Sequence, residues 1–415
     1  MRMRRFFRIM CGTLLLGLLA LGLGRLWLHR ALYHISDADF AKIPSQCSVS
    51  NVRFQSEIAA AQRFMKRFMI ETQSPSFSVA VAYQGKLVWS EAFGYINLQH
   101  KIPATPSTRY RIHSVSKPVT GAALATLYEA GLLSLDSTVQ HYVPEFPAKA
   151  WPFTVRQLAA HTAGIRHYRS SEETLNTRHF GSLTEALSVF ENDSLLFEPG
   201  TQVRYSSFGY NLLGRVVEKL SGQPYLEYIQ RQVLQPAQAA GIGIENNDTS
   251  RVVYYERTAN GTLRAVPPID QSIKYPSGGL VGTPSDMVKF GAAYWHGELV
   301  EPATVAVFTE MQHLRNGAET GFGLGWELSR TPSRSKRLLM DTSAALGVYL
   351  PHATGFYESV YHRGGAVGGI SGLVIYKSDD LVLAFTCNVN GDAHPPPWKL
   401  PTLFMEGFIK NVRIH

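Results

Sequence analysis

The chain has 415 residues, of which 45% are apolar and 17% charged, a globular balance that excludes a disordered or fibrous protein. Its formal net charge is +8, yet six of its 40 basic residues lie in residues 1–30, which hold no acid. The remainder carries 34 basic against 32 acidic groups, so the body is nearly neutral and the case for nucleic-acid binding falls away.

Arg2, Arg4, Arg5 and Arg8 precede an uncharged run at residues 9–24, and Arg25 and Arg30 follow it. As a helix this run spans about 24 Å, slightly short of a ~30 Å hydrocarbon core. Leu26, Trp27 and Leu28 extend it to the interface. Residues 1–30 are expected to be a membrane anchor with the body on the periplasmic side of an inner membrane, because basic residues stay cytosolic. A cleaved signal peptide and secretion is the alternative, with Gly22-Leu23-Gly24 as a weak site. A mitochondrial presequence is the third, though such segments are amphipathic rather than solidly apolar.

Residues 31–52 read as a linker. Residues 56–71 carry a helical stripe of Ile58, Ala61, Met65 and Phe68. Residues 77–94 predict two strands around Gln84-Gly85-Lys86, and residues 108–113 a further strand. Residues 114–130, 154–161, 183–192, 210–220, 224–234 and 285–295 have helical spacing or caps. Strands return at 321–328, 359–362, 372–377 and 381–389, with Ser378-Asp379-Asp380 as a turn, and residues 400–412 close the chain as a helix. The expected fold class is α/β (α+β), an antiparallel sheet built from both chain ends and flanked by helices. A mostly helical subdomain, residues 114–320, is inserted between sheet segments 53–113 and 321–415, and residues 331–357 form a polar excursion.

Among the three cysteines, Cys11 lies in the leader; Cys47 and Cys387 form one bridge if the body is exported, or stay two inert thiols, the plainer reading. No Cys/His ligand spacing, P-loop or G-x-G-x-x-G is present, so no metal or organic cofactor is expected. G-x-S-x-G is also missing, which argues against an ordinary α/β-hydrolase.

Ser114-Val115-Ser116-Lys117 follows a predicted strand and opens a predicted helix. Ser114 and Lys117, three apart, share a helix face. The helix N-terminus favours developing negative charge, and a lysine of depressed pKa can take the hydroxyl proton. Alone the pattern is weak, since an N-cap serine reads the same way. A second copy, Ser333-Arg334-Ser335-Lys336, sits in the charged loop and reads as surface. Tyr205-Ser206-Ser207 lies at a loop–helix junction, where two nearby cations would make a Tyr205 phenolate accessible as a base. On a late strand, His362-Arg363-Gly364-Gly365 allows close approach, and the Gly365 N–H can complete an oxyanion hole with that of Ser114. His161 reads as a helix-end residue bonding the following loop.

The three motifs in this order resemble serine β-lactamases and penicillin-binding proteins, especially class C-like members. Within them, residues 111–117, 154–168, 197–210 and 362–368 look most like the branch of mitochondrial serine β-lactamase-like proteins and their bacterial relatives. The resemblance spans about residues 55–410. It implies Ser114 as acyl-forming nucleophile, Lys117 as its proton partner and Tyr205 as general base or acid. It also implies an oxyanion hole of the Ser114 and Gly365 N–H groups, with Ser207, His362 and Gly364 contacting substrate. Two departures stand out. Ser207 replaces the usual Asn, and His362-Arg363 stand where a lysine and a Thr or Ser are common. Adjacent strand residues face opposite ways, so His362 and Arg363 cannot both enter the site.

The reading is a membrane-anchored serine hydrolase acting on peptides, amides or esters. Its alternatives are a penicillin-binding or D-Ala carboxypeptidase-type enzyme, a weak β-lactamase, or a filament-forming protein with a vestigial site. A homo-oligomer is left open.

Overall fold

The computed structural model describes residues 37–245, 252–258, 260–329 and 359–389. The chain divides into two units, Met1–Ile43 and Pro44–His415. In the first, the described residues form a short helix, Asp37–Ala41. The expected leader, the second S-x-x-K, the 331–357 loop and the closing helix lie outside the described residues.

In the second unit seven strands form an antiparallel sheet. They are β1 (Ser45–Ser50), β2 (Ser76–Tyr83), β3 (Lys86–Asn97), β4 (Glu327–Ser329), β5 (Ser359–Ala366), β6 (Gly369–Tyr376) and β7 (Leu381–Cys387). Their order is β1-β3-β2-β7-β6-β5-β4, with the short strand Ile102–Pro103 added on β3. Both chain ends therefore supply the sheet, and they meet at its centre: Phe77 lies opposite Cys387 and Tyr83 opposite Leu381. Gln84 (φ 49°) and Gly85 (φ 72°) turn β2 into β3, the left-handed pair a tight hairpin needs. Cys47 on β1 and Cys387 on β7 are both free thiols, the first exposed and the second buried.

Helices cover both faces. Helix α1 (Gln55–Thr72) buries Ile58, Ala61, Met65 and Phe68; Phe68 meets Phe77 edge-on at 5.6 Å, and Phe77 stacks on Phe385. On the other face lies the later helix Pro284–Trp295, where Gly291 approaches Val382 and Leu373 so closely that a Cβ would stand 3.0 and 3.2 Å from them. The inserted region packs around α2 (Ser116–Glu129), buried along most of its length, as expected of a helix apolar on every side. Against α2 packs α3 (Ser207–Ser221).

Four expectations change. Residues 45–50, read as linker, form an edge strand on β3; their polar sequence is almost wholly exposed, so it carries no apolar alternation. The strand at 108–113 shrinks to Tyr110–Arg111, paired with Val281–Gly282. That at 321–328 shrinks to β4, because Gly321 (φ 82°) and Gly325 (φ 102°) leave the extended region. Thr154 caps the helix Val155–Ala159 through a complete capping box, and α3 begins at Ser207 rather than Tyr210.

Candidate active site

Ser114 sits just ahead of α2, in the short 3-10 turn His113–Val115, rather than within the helix as the S-x-x-K spacing implied. His113 enters that turn with φ 48°, and the Ser116 hydroxyl fastens it by donating to His113 O at 2.7 Å. Pro118 falls in the first turn of α2, where its missing N–H costs nothing.

Lys117 is fully buried. Its Nζ lies 3.3 Å from Ser114 Oγ, 3.2 Å from Ser207 Oγ and 2.6 Å from Ser277 O. The ammonium position also lies over the Tyr205 ring, 4.8 Å from its centre. Loss of water pushes the Lys117 pKa well below its ordinary value, while the Glu327 charge works the other way. A lysine so placed favours the neutral amine, whose lone pair can take a proton from Ser114.

The Tyr205 phenol lies beside the Ser114 side chain that Lys117 also reaches, so serine, lysine and tyrosine meet at one point. Its phenol is driven well above the ordinary range by burial, and the Glu327 charge adds to this. Burial thus disfavours the expected phenolate. Burial works against the charge of both Lys117 and His362, the two cations that were to stabilise the phenolate. Tyr205 is a protonated phenol, suited to giving a proton.

The turn carrying Tyr205 is held by two imidazoles. Ser206 N–H donates to His161 Nδ1 at 3.2 Å, and Ser207 N–H to His167 Nδ1 at 3.1 Å. These amides begin α3 and have no partner within the helix. Ser206 Oγ caps the helix by accepting from Gly209 N–H and donates to Arg166 O. Burial, with Lys117 beside it, pushes His161 well below its normal pKa and His167 to about 4. Both rings therefore remain neutral acceptors. His161, read as a residue bonding the loop, does so; His167 was missed, its i+6 spacing from His161 matching no motif.

Strand β5 forms the opposite wall. Arg363 N–H points to the β4 side, donating to Glu327 Oε1 at 3.1 Å. Gly365 N–H, two residues on, points the same way. There β4 pairs only with residues 359–361 of β5, and Gly365 is exposed on the cavity. Gly364 does not line the cavity. Its place is set by packing: a Cβ would lie 2.6 Å from Ile112 O and 2.1 Å from Ser371 Oγ.

His362 and Arg363 also depart from expectation, for both turn to Glu327. Arg363 Nη2 lies 2.6 Å from its carboxylate and His362 Nδ1 3.7 Å. His362 is 2% exposed, lines no part of the cavity, and is held at about pKa 4 chiefly by burial. It is thus a buried neutral ring rather than a surface for substrate carboxylate. Glu327 was not foreseen, since an isolated acid after Gly325-Trp326 carries no motif. Ser207 is buried between Lys117 Nζ and the Tyr168 hydroxyl, and lines the cavity.

Ser114, Tyr205, Ser207 and Gly365 line one cavity of about 410 Å³. Among the described residues no group of His, Cys, Asp and Glu is arranged to hold a metal ion. Residues 61–399 match the family described as Beta-lactamase. The chain belongs to the beta-lactamase family.

Within this family of serine hydrolases it is 32% identical to the serine beta-lactamase-like protein LACTB, mitochondrial, of Homo sapiens, over 59% of this chain and 57% of that protein. The chain thus spans little more than half the length of that curated relative. Solved structures agree on the fold. The octameric penicillin-binding protein homologue from Pyrococcus abyssi is 21% identical, covering 85% of this chain and 77% of that one, at a TM-score of 0.67. EstCE1, a hydrolase with promiscuous acyltransferase activity, is 20% identical, covering 86% and 99%, at 0.69.

Proposed function

We propose that this member of the beta-lactamase family is a membrane-anchored serine hydrolase that cleaves small peptides, amides or esters through an acyl-enzyme. The observation that carries the reading is the 3.3 Å approach of the buried Lys117 Nζ to Ser114 Oγ at the cavity wall. Ser114 Oγ attacks the substrate carbonyl carbon while Lys117 takes the hydroxyl proton. The Ser114 and Gly365 N–H groups receive the oxyanion. Collapse breaks the bond to the leaving group, which departs with the Tyr205 proton; the Lys117 ammonium beside the ring returns its proton to the phenolate, while Ser114 Oγ stays in the ester. Water then repeats the sequence on the acyl-serine and releases the acid.

The test is covalent labelling of the full chain with a fluorophosphonate. Wild type is expected to label and Ser114→Ala not to; equal labelling refutes the reading. Lys117→Ala is expected to label at least 100-fold more slowly, and an unchanged rate would remove Lys117 from the proton path. The anchor rests on the arginine-flanked leader. Its test is alkaline extraction of membranes: an anchored chain stays in the pellet, whereas release would favour a cleaved signal.

A further inference from the structure

We propose that the cavity wall opposite β5 is a carboxylate-binding subsite built on Lys274 and Gln271, so that the preferred substrates carry a carboxylate. This rests on the reading of Ser114 as nucleophile, since it names the substrate class of that site.

Lys274 lines the same cavity as Ser114 and is only 5% exposed. Its Nζ donates to Thr174 O at 3.0 Å, which uses one of three donors. Among the described residues it makes no ion pair. The nearby acid is engaged elsewhere: Asp270 accepts from the Ser272 N–H and hydroxyl and meets His179 at 3.0 Å. Arg111 on the same cavity is already paired with Glu245 at 2.9 Å and lies over the Tyr254 ring. Gln271 brings a second donor, for its Nε2 is buried with no hydrogen-bond partner. None of the residues that line the cavity is acidic.

A buried cation without a counter-ion and a buried amide without an acceptor are both costly. An incoming carboxylate would give Lys274 its counter-ion, with the Gln271 side chain on the same cavity wall as a second donor. Burial pulls Lys274 down to about 8, and Arg111 adds to this while the Asp270 charge opposes it, which still leaves the ammonium charged near neutral pH.

The placement also orients a substrate. Lys274 O accepts the N–H groups of Ser277, Gly278 and Gly279, and Ser277 O holds Lys117 Nζ. The proposed anion anchor and the proton acceptor thus stand on one rigid turn. A carboxylate fixed by Lys274 would hold the scissile carbonyl at a set distance from Ser114. His362, buried and neutral, offers no such anchor on the other wall.

The experiment compares the mono-4-nitrophenyl ester of adipic acid with its methyl ester, which has the same length and no charge. Wild type is expected to prefer the free acid in kcat/KM. Lys274→Gln should lower the acid-to-methyl-ester ratio at least tenfold, mainly through KM, and Lys274→Arg should restore most of it. An unchanged ratio in Lys274→Gln, or no preference in wild type, overturns the proposal. Calorimetry with adipate on Ser114→Ala keeps the two readings apart. Binding that disappears in Ser114→Ala/Lys274→Gln supports the subsite even if fluorophosphonate labelling fails, and no binding to Ser114→Ala refutes it.

Discussion

Replacing Gly364 by alanine should separate the two halves of the oxyanion hole without touching a reacting atom. The new Cβ would stand 2.6 Å from Ile112 O and 2.1 Å from Ser371 Oγ, with His113 Cβ at 3.0 Å. Ser371 can rotate, at the loss of its 2.6 Å hydrogen bond to Ile112 O. The carbonyl cannot, because it belongs to the turn that carries Ser114. Strand β5 must therefore retreat from that turn by about 1 Å, a misplacement that costs about 100-fold in rate. Overpacking adds about 2 kcal/mol of destabilisation and the lost bond about 1 kcal/mol, together a fall of roughly 5 °C in Tm. Gly364→Ala should thus label with fluorophosphonate about 100-fold more slowly, in a protein that still unfolds cooperatively. Adding Ser371→Ala should relieve the side-chain clash alone and restore only part of the rate. Gly365→Ala is the control for stability, since the nearest atom to its Cβ is Ile370 Cγ2 at 3.9 Å. If Gly364→Ala labels and melts like wild type, the strand does not position the hole by this contact.

Glu327→Gln should move the acid limb of the labelling rate to lower pH. The lost charge had raised the proton affinity of Lys117 and Tyr205, so the amine becomes neutral sooner as pH rises. The same variant breaks the Arg363–Glu327 ion pair and should lose about 1–3 kcal/mol in urea unfolding. His167→Phe removes the acceptor of Ser207 N–H; it should slow labelling and cost about 1–3 kcal/mol, while His167→Asn should recover much of both. Stability should fall as pH drops from about 6.5, the unfolded histidine value, towards about 4, where His362 and His167 titrate in the fold. Over that window the unfolded chain binds protons that the native state refuses. A Tm flat from pH 7 to 4 would contradict the buried neutral rings.

Several parts of this arrangement are visible in the bare sequence because they depend on near neighbours. Ser114 and Lys117 are three apart, and the β2–β3 turn needs only a glycine between two alternating runs. Thr154 and Gln157 spell out their own capping box. Other parts are invisible because their cause lies far along the chain. Glu327 matters only once Arg363, His362 and Lys117 have been brought to it. His167 is an acceptor for an amide 40 residues later. Lys274 looks like any lysine until its burial beside Ser114 is seen. The burial that disfavours a Tyr205 phenolate is hidden for the same reason, since sequence spacing suggests neighbouring charges but not how much water they lose. Strand lengths were misjudged where a left-handed residue, His113 or Gly325, ends an otherwise extended run.

The joining of both chain ends in one sheet has a consequence for when the proposed site can form. Ser114 and Gly365 are 251 positions apart, and β5 reaches the serine turn only as part of a ladder closed by β7 against β2. During synthesis the ribosome releases Ser114, Lys117 and Tyr205 long before the strand that completes their site. Such distant pairing is also slow to form. The growing chain therefore carries Ser114 without Gly365 beside it, and the proposed hydrolytic site is complete only once the last strands of the sheet have paired.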